Sequence, residues 1–298
     1  KNERRRSSPS AITSVLPGLP NFITLIAAAI TMGVCGSKEA LNEPQGKPGV
    51  VPDKQTETMP AEKKAPKALA FAVMRNTHEA IRGAIKDCDA AVEAGDVKSL
   101  SSHFQELQKC VEMHAAMEDK GFFPLLDSKS DGAVKKNGLF EIHHEDEKLS
   151  GALTGLLKAE DASEEAIKEA YAAWKAYHLE HLKKEESIMM PLVPKMAKQL
   201  NPPGDSLQMG ILFHEKVLPY VSDLPWFAAY NCKILAKHGS TKHDALTATR
   251  VWIHGLQYAC TASQWEAVLP AVKKAIPADL FRKIAEVANI EAPGKIVS

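Results

Sequence analysis

The sequence predicts an all-α protein: an up-down-up-down four-helix bundle over about residues 66–200, followed by a C-terminal helical extension over residues 204–292. Three observations carry this reading. Apolar side chains recur at helical spacing from Leu69 almost to the end of the chain, clusters of Gly, Pro, Asp and Asn cut that pattern into helix-length pieces, and a histidine–glutamate motif followed by a proline occurs twice. The bulk numbers agree, because 45% apolar and 25% charged residues are the balance of a chain that folds around a core. Lys+Arg and Asp+Glu are 37 each, and beyond Arg4, Arg5 and Arg6 no dense basic run is present to track a phosphate backbone, which argues against nucleic acid as a partner. The five cysteines are scattered without C-x-x-C spacing and read as small buried residues in a reducing compartment.

Residues 1–65 read as a disordered leader and tether. The stretch 36–68 collects Gly, Pro, Lys, Glu and Thr with few large apolar side chains, too little burial to offset the entropy of ordering. Phe22 to Cys35 is apolar but shorter than the roughly 20 residues a spanning helix needs. Basic residues ahead of it leave a signal or targeting sequence open, although no small-x-small cleavage site follows. A second reading starts at Met32, where Met32-Gly33-Val34-Cys35-Gly36-Ser37 fits the N-myristoylation pattern. Were translation to begin there, Gly33 would carry a myristoyl chain and Cys35 a palmitoyl chain, the two signals that stable anchoring requires. An internal Gly33 would not be a myristoylation substrate. The expected location is intracellular and cytoplasmic, with a membrane surface as partner if the N-terminus is lipidated.

The first helix begins near Leu69. Phe71, Met74, Ile81, Ile85 and Val92 lie on one face with His78 in the middle of that stripe, and Gly95-Asp96 closes the segment. A second helix, about Val97 to Leu126, carries Phe104, Leu107, Val111 and His114 on its apolar face. The polar break Asp127 to Asn137 leads to a third helix near Gly138 to Leu157, and Asp161-Ala162-Ser163 precedes a fourth from about Glu164 to Met196. Short connections between four helices imply antiparallel neighbours.

Helix 2 reads His114-x-x-x-Glu118 and then Pro124, and helix 4 reads His181-x-x-x-Glu185 and then Pro191, with each proline at the same distance past its histidine. Each motif also follows a helix bearing a histidine, His78 in one case and His143 or His144 in the other, so the chain reads as a duplicated helix pair. Residues i and i+4 share a helical face, so each motif aims an imidazole and a carboxylate at one spot on the bundle axis. A lone histidine on an apolar face is usually a satisfied core residue, but glutamates are almost never fully buried unless paired. Two glutamates converging with four histidines therefore point to bound metal. Imidazole suits iron, copper or zinc and a carboxylate can bridge two cations, which favours two iron ions, with zinc or manganese as alternatives.

The segments RNTHEAIR, HAAMEDKGFFPLL, EIHHEDEKL and HLKKEESIMMPLV resemble the hemerythrin-like HHE family over roughly residues 69–196. On a helical wheel Leu139, Leu149, Leu153 and Leu157 surround His143 and turn away from His144, which selects His143 for helix 3. The resemblance thus implies a metal set of His78, His114, Glu118, His143, His181 and Glu185. The oxygen carriers of the family place a second helix-3 histidine and a further helix-4 carboxylate where this chain has Glu147 and Glu186, leaving both as alternate ligands or solvated residues. His178, one turn before His181, is read as a partner of the ligands or an alternate ligand, and Tyr171, Trp174 and Tyr177 as core packing.

What the resemblance implies is a non-heme di-iron protein that binds or senses dioxygen, a related small molecule or iron. The alternative is a di-iron oxidoreductase of peroxidase, nitric oxide scavenging or oxygenase type, which extra carboxylates such as Glu147 would favour. After Asn201-Pro202-Pro203-Gly204, apolar periodicity resumes around Met209 to Tyr220, Trp226 to Ala236, Leu246 to Ala259, Trp265 to Ile276 and Leu280 to Val287. Cys232, His238, His243, His254 and Cys260 in this region match no zinc spacing, so it reads as helices packed on the bundle.

Overall fold

The computed structural model describes residues 69–296. The tether at 1–65, with the lipidation reading at Met32, Gly33 and Cys35, lies outside the described residues. Within them the fold is all-α. Helix α1 is Leu69–Glu93, and α2 is Val97–Met117, capped by the Asp96 carboxylate, which accepts from the Ser99 N–H at 2.9 Å. The chain then runs through a π-helical turn, Glu118–Phe122, into the short helices α3, Phe123–Ser128, and α4, Ala133–Lys136. Helix α5 is Leu139–Lys158 and α6 is Glu164–Lys198, the latter capped by the Ser163 hydroxyl accepting from the Ala166 N–H.

Helices α1 and α2 pack together, α2 meets α5, α5 lies along α6, and α6 returns to α1. This closed ring leaves one interior among four helices. At one level Phe104 meets Trp174 edge to face at 4.8 Å, and the Tyr171 hydroxyl reaches the Ile85 carbonyl and Asp89.

Two departures occur inside the bundle: the expected break at 127–137 contains α4, and helix 2, expected to run unbroken to Leu126, changes its repeat. Pro124 has no N–H to give to the carbonyl of the preceding turn, and the Phe123 N–H bonds instead to the Glu118 carbonyl, five residues back. A π turn of this kind adds a residue to the helical repeat and redirects the side chains after it. It begins on Glu118, one of the site residues.

Beyond the bundle come α7, Ser206–Lys216, a 3-10 turn, Leu218–Tyr220, then α8, Leu224–His238, α9, Ala245–Ala259, α10, Ala262–Ala275, and α11, Ala278–Ala288. The expected first stretch to Tyr220 is interrupted after Lys216, where Pro219 enters the tighter turn. Helices α7, α8 and α9 all pack on α1. This explains why α1 is buried nearly all round: its bundle face carries His78, and its outer face, with Thr77 bonded to Trp252 and Gly83 against Ile234, serves the extension. Cys88, Cys110, Cys232 and Cys260 are free and buried, and burial pushes the Cys88, Cys110 and Cys260 thiols up to about 12. Among the described residues no helix is long and apolar enough to cross a membrane.

Candidate metal centre

Each bundle helix contributes to one buried cluster. His78 comes from the middle of α1, His114 from the last turn of α2, Glu118 from the start of the π turn, His143 from the first turns of α5, and His181 with Glu185 from α6. The two glutamates are fully buried, as is His78. Glu185 faces both ways: its Oε1 lies 2.9 Å from His181 Nε2 and 3.0 Å from His143 Nε2, while its Oε2 lies 3.5 Å from His78 Nε2. Glu118 places Oε1 3.7 Å from His78 Nε2, and Oε2 3.3 Å from His114 Nε2 and 3.5 Å from His143 Nε2. The imidazoles fall into two pairs, His78 with His114 and His143 with His181, whose ring centroids lie 4.8 and 4.9 Å apart. The carboxylates stand between the pairs.

Three imidazoles are held from behind. His143 Nδ1 meets Asp119 Oδ1 at 2.7 Å, His181 Nδ1 meets Asp146 Oδ2 at 2.7 Å, and His78 Nδ1 meets Glu186 Oε1 at 3.1 Å. A carboxylate at Nδ1 fixes the tautomer and leaves Nε2 free to donate its lone pair, the usual arrangement behind a metal-bound histidine. Phe123 stacks on His143 at 5.3 Å, which closes that side with an aromatic face.

Burial alone would strip the charge from these histidines, but the carboxylates overrule it. The contacts with Glu118, Glu186 and Glu185 hold His78 up at about 9. Against burial, Glu185 and Asp146 raise His181 to about 9, and Asp119, Glu118 and Glu185 raise His143 to about 12. At His114 burial wins, and its value falls to about 4. Glu118 and Glu185 are driven up by burial but pulled below the ordinary carboxylate range by the surrounding imidazoles. The imidazoles around them favour the ionised form of both.

His78 Nε2, His114 Nε2, both Glu118 oxygens and Glu185 Oε2 are buried without a hydrogen bond among the described residues. Unpaired buried donors and acceptors cost roughly 1–3 kcal/mol each, so a cluster of them facing one another is poorly explained as a polar core. It fits metal. The ligand-bearing atoms of His78, His114, Glu118 and Glu185 form one group that could hold an ion, those of His143, His181 and Glu185 a second, and those of Asp146, His178 and His181 a third, which lies behind His181.

The remaining candidates separate cleanly. His144 and Glu147 are exposed, because α5 turns them away from the axis, and neither enters the cluster. Glu186 binds the back of His78 and also Arg82 Nη1 at 2.7 Å, so it supports a cluster residue without joining the centre. His178 stacks on Trp174 and hydrogen bonds through Nδ1 to the same Asp146 oxygen that holds His181. Asp119 and Asp146 were not singled out in the sequence. Asp146 had a signal: it follows Ile142 by four residues and precedes Leu149 by three, so it is an acid on the apolar stripe, and it is 4% exposed between the less buried Glu145 and Glu147. Asp119 had none, because only the π turn brings it round to His143.

Residues 69–193 match the family model of the hemerythrin HHE cation binding domain. No curated protein and no solved structure matches the chain.

Proposed function

Starting from a hemerythrin HHE cation-binding domain at residues 69–193, we propose that the protein is a non-heme di-iron protein that binds or senses dioxygen or iron. One observation supports the count of two ions: Glu185 belongs to two of the three candidate groups, with one oxygen toward His143 and His181 and the other toward His78. If two cations were bound, His78 with His114 and His143 with His181 would be the imidazole pairs to hold them, and Glu185 would be within reach of both pairs. The mixed imidazole and carboxylate donors, set inside a helical bundle, suit iron, with zinc and manganese as the competing ions. Bound iron would supply a redox couple and a place for a small ligand to coordinate. The chain's own part is to hold four imidazoles with Nε2 forward, to place two carboxylates between them, and to exclude water with Phe123 and the core around it. The oxidoreductase alternative leaned on Glu147 as an additional anionic ligand, and Glu147 is exposed.

The test is metal content followed by oxygen exposure. The full chain, reconstituted with ferrous iron without oxygen, is expected to hold near two irons. A reversible absorption change on cycling oxygen supports binding, whereas irreversible oxidation with turnover supports the enzyme. A chain that takes up no iron on anaerobic reconstitution, yet binds zinc or manganese, would overturn the iron assignment.

The same cluster predicts a pH dependence. In the metal-free protein His78, His143 and His181 hold protons at pH 7, because their values lie at about 9, about 12 and about 9. A ligating imidazole must be neutral, so metal uptake releases protons and lowering the pH opposes it. Apparent affinity is expected to fall about tenfold per pH unit for each proton released. Calorimetry in buffers of different ionisation enthalpy measures the release directly, and an affinity that stays flat from about pH 8 to about pH 6 would contradict the assignment.

A further inference from the structure

The C-terminal extension reaches the cluster through a continuous line of polar contacts. In the loop between α8 and α9, the Thr241 N–H donates to Glu79 Oε2 at 2.8 Å and its hydroxyl donates to Glu79 Oε1 at 2.9 Å. Arg82 Nη1 donates to Glu79 Oε1 at 3.3 Å and to Glu186 Oε1 at 2.7 Å, and Glu186 Oε1 is the atom that holds His78 Nδ1. We propose that Thr241, Glu79, Arg82 and Glu186 form a positioning chain by which the extension sets His78, and with it one of the two halves of the metal centre.

Arg82 is shared between Glu79 and Glu186. Glu79 is 6% exposed and carries a charge that needs donors. Thr241 supplies two of them, which lets Arg82 sit closer to Glu186 than to Glu79. Without Thr241, Glu79 would draw the guanidinium to itself, and Glu186 would lose the partner that fixes its carboxylate behind His78.

The loop is built to stay in place. Gly239 has φ 66, and a Cβ there would lie 2.8 Å from the His243 carbonyl. The Ser240 N–H bonds to that carbonyl, and the Ser240 hydroxyl accepts from the His243 N–H. His238 anchors the preceding helix end to Asp87 of α1 at 2.8 Å. Nearly three turns of α1 away, Trp252 Nε1 of α9 donates to the hydroxyl of Thr77, the neighbour of His78.

The two halves of the centre differ in this respect. His143 and His181 are backed by Asp119 and Asp146, both bundle residues, whereas His78 alone is tied through its carboxylate to the extension. The inference rests on the two-ion reading, and it makes the ions inequivalent: the one nearer His78 responds to the Thr241 contact and the other does not.

Cobalt(II), titrated into the metal-free full chain and followed by visible absorption, tests this. The wild type is expected to take up two ions. Arg82→Met is expected to weaken one of them about 10–100-fold, the scale on which loss of a group behind a ligand acts, and to leave the other unchanged. Arg82→Lys is expected to recover part of the loss. Thr241→Val is expected to shift the same ion in the same direction by less. Thr241 is exposed, so this variant keeps the test alive if loss of Arg82 disturbs folding. Lys237→Ala, which removes an exposed ion pair between extension and bundle, is expected to titrate as wild type and separates the chain from general loosening. Two ions bound in every variant with unchanged affinity, or both ions weakened equally, would overturn the positioning chain alone. A wild type that binds no pair of ions would overturn the two-ion reading and the inference with it.

Discussion

Replacing His114 and His181 together with alanine is expected to bring metal content from near two ions per chain to near none. The two residues sit in opposite pairs, His114 with His78 and His181 with His143, so the double variant leaves each half a single imidazole. It also leaves Glu118 and Glu185 buried with fewer partners, since His181 Nε2 at 2.9 Å is the nearest cation to Glu185 and His114 lies 3.3 Å from Glu118. Breaking a buried ionic contact from one side costs about 3–5 kcal/mol, so the variant is expected to be less stable even without metal. Thermal melts with and without chelator separate these effects. In the wild type a ligand at about a hundred times its Kd adds about 2.7 kcal/mol, so chelation should lower its Tm. The variant should melt early and be indifferent to chelation. A double variant that kept two ions would show that the metal lies elsewhere.

The parts of this site that were legible in the sequence are those in which one helix supplies the whole signal. His114 with Glu118, and His181 with Glu185, each occupy a single helical face, and a buried acid beside an imidazole on an otherwise apolar stripe has few readings. The choice between His143 and His144 was a question of helical phase, and the structure puts His143 in the cluster and His144 in solvent. The groups behind the imidazoles were harder to read. Asp146 lies on a readable stripe but hides in an acidic run, and Asp119 reaches His143 only because the helix changes its repeat at Glu118. The chain from Thr241 to His78 joins α1, α6 and the loop after α8. No periodicity within any one of them records that meeting, which depends on how the extension docks.

That docking yields the second large effect, expected at Gly121. The residue lies in the π turn with Glu118 and Asp119, and a Cβ placed on it would stand 2.1 Å from the Lys216 carbonyl oxygen and 3.1 Å from Val217 Cα. These are backbone atoms at the end of α7, so no side-chain rotation relieves the clash and either the turn or the extension must shift. Overpacking of this kind costs about 1–3 kcal/mol and sometimes more, which for a folded region of this size lowers Tm by about 2–4 °C per kcal/mol. Because the turn also carries Glu118 and the Asp119 that backs His143, Gly121→Ala should weaken metal binding along with stability. Gly151→Ala provides the contrast. Gly151 lies within α5 with nothing within 4 Å of its Cβ position, so the added methyl should stabilise the helix by about 0.5–1 kcal/mol. The same chemical change is thus expected to act with opposite sign at two positions, read by urea denaturation of the metal-free protein and by metal analysis. If Gly121→Ala proved as mild as Gly151→Ala and kept its metal, the extension would not press on the π turn, and the metal centre would be independent of that contact.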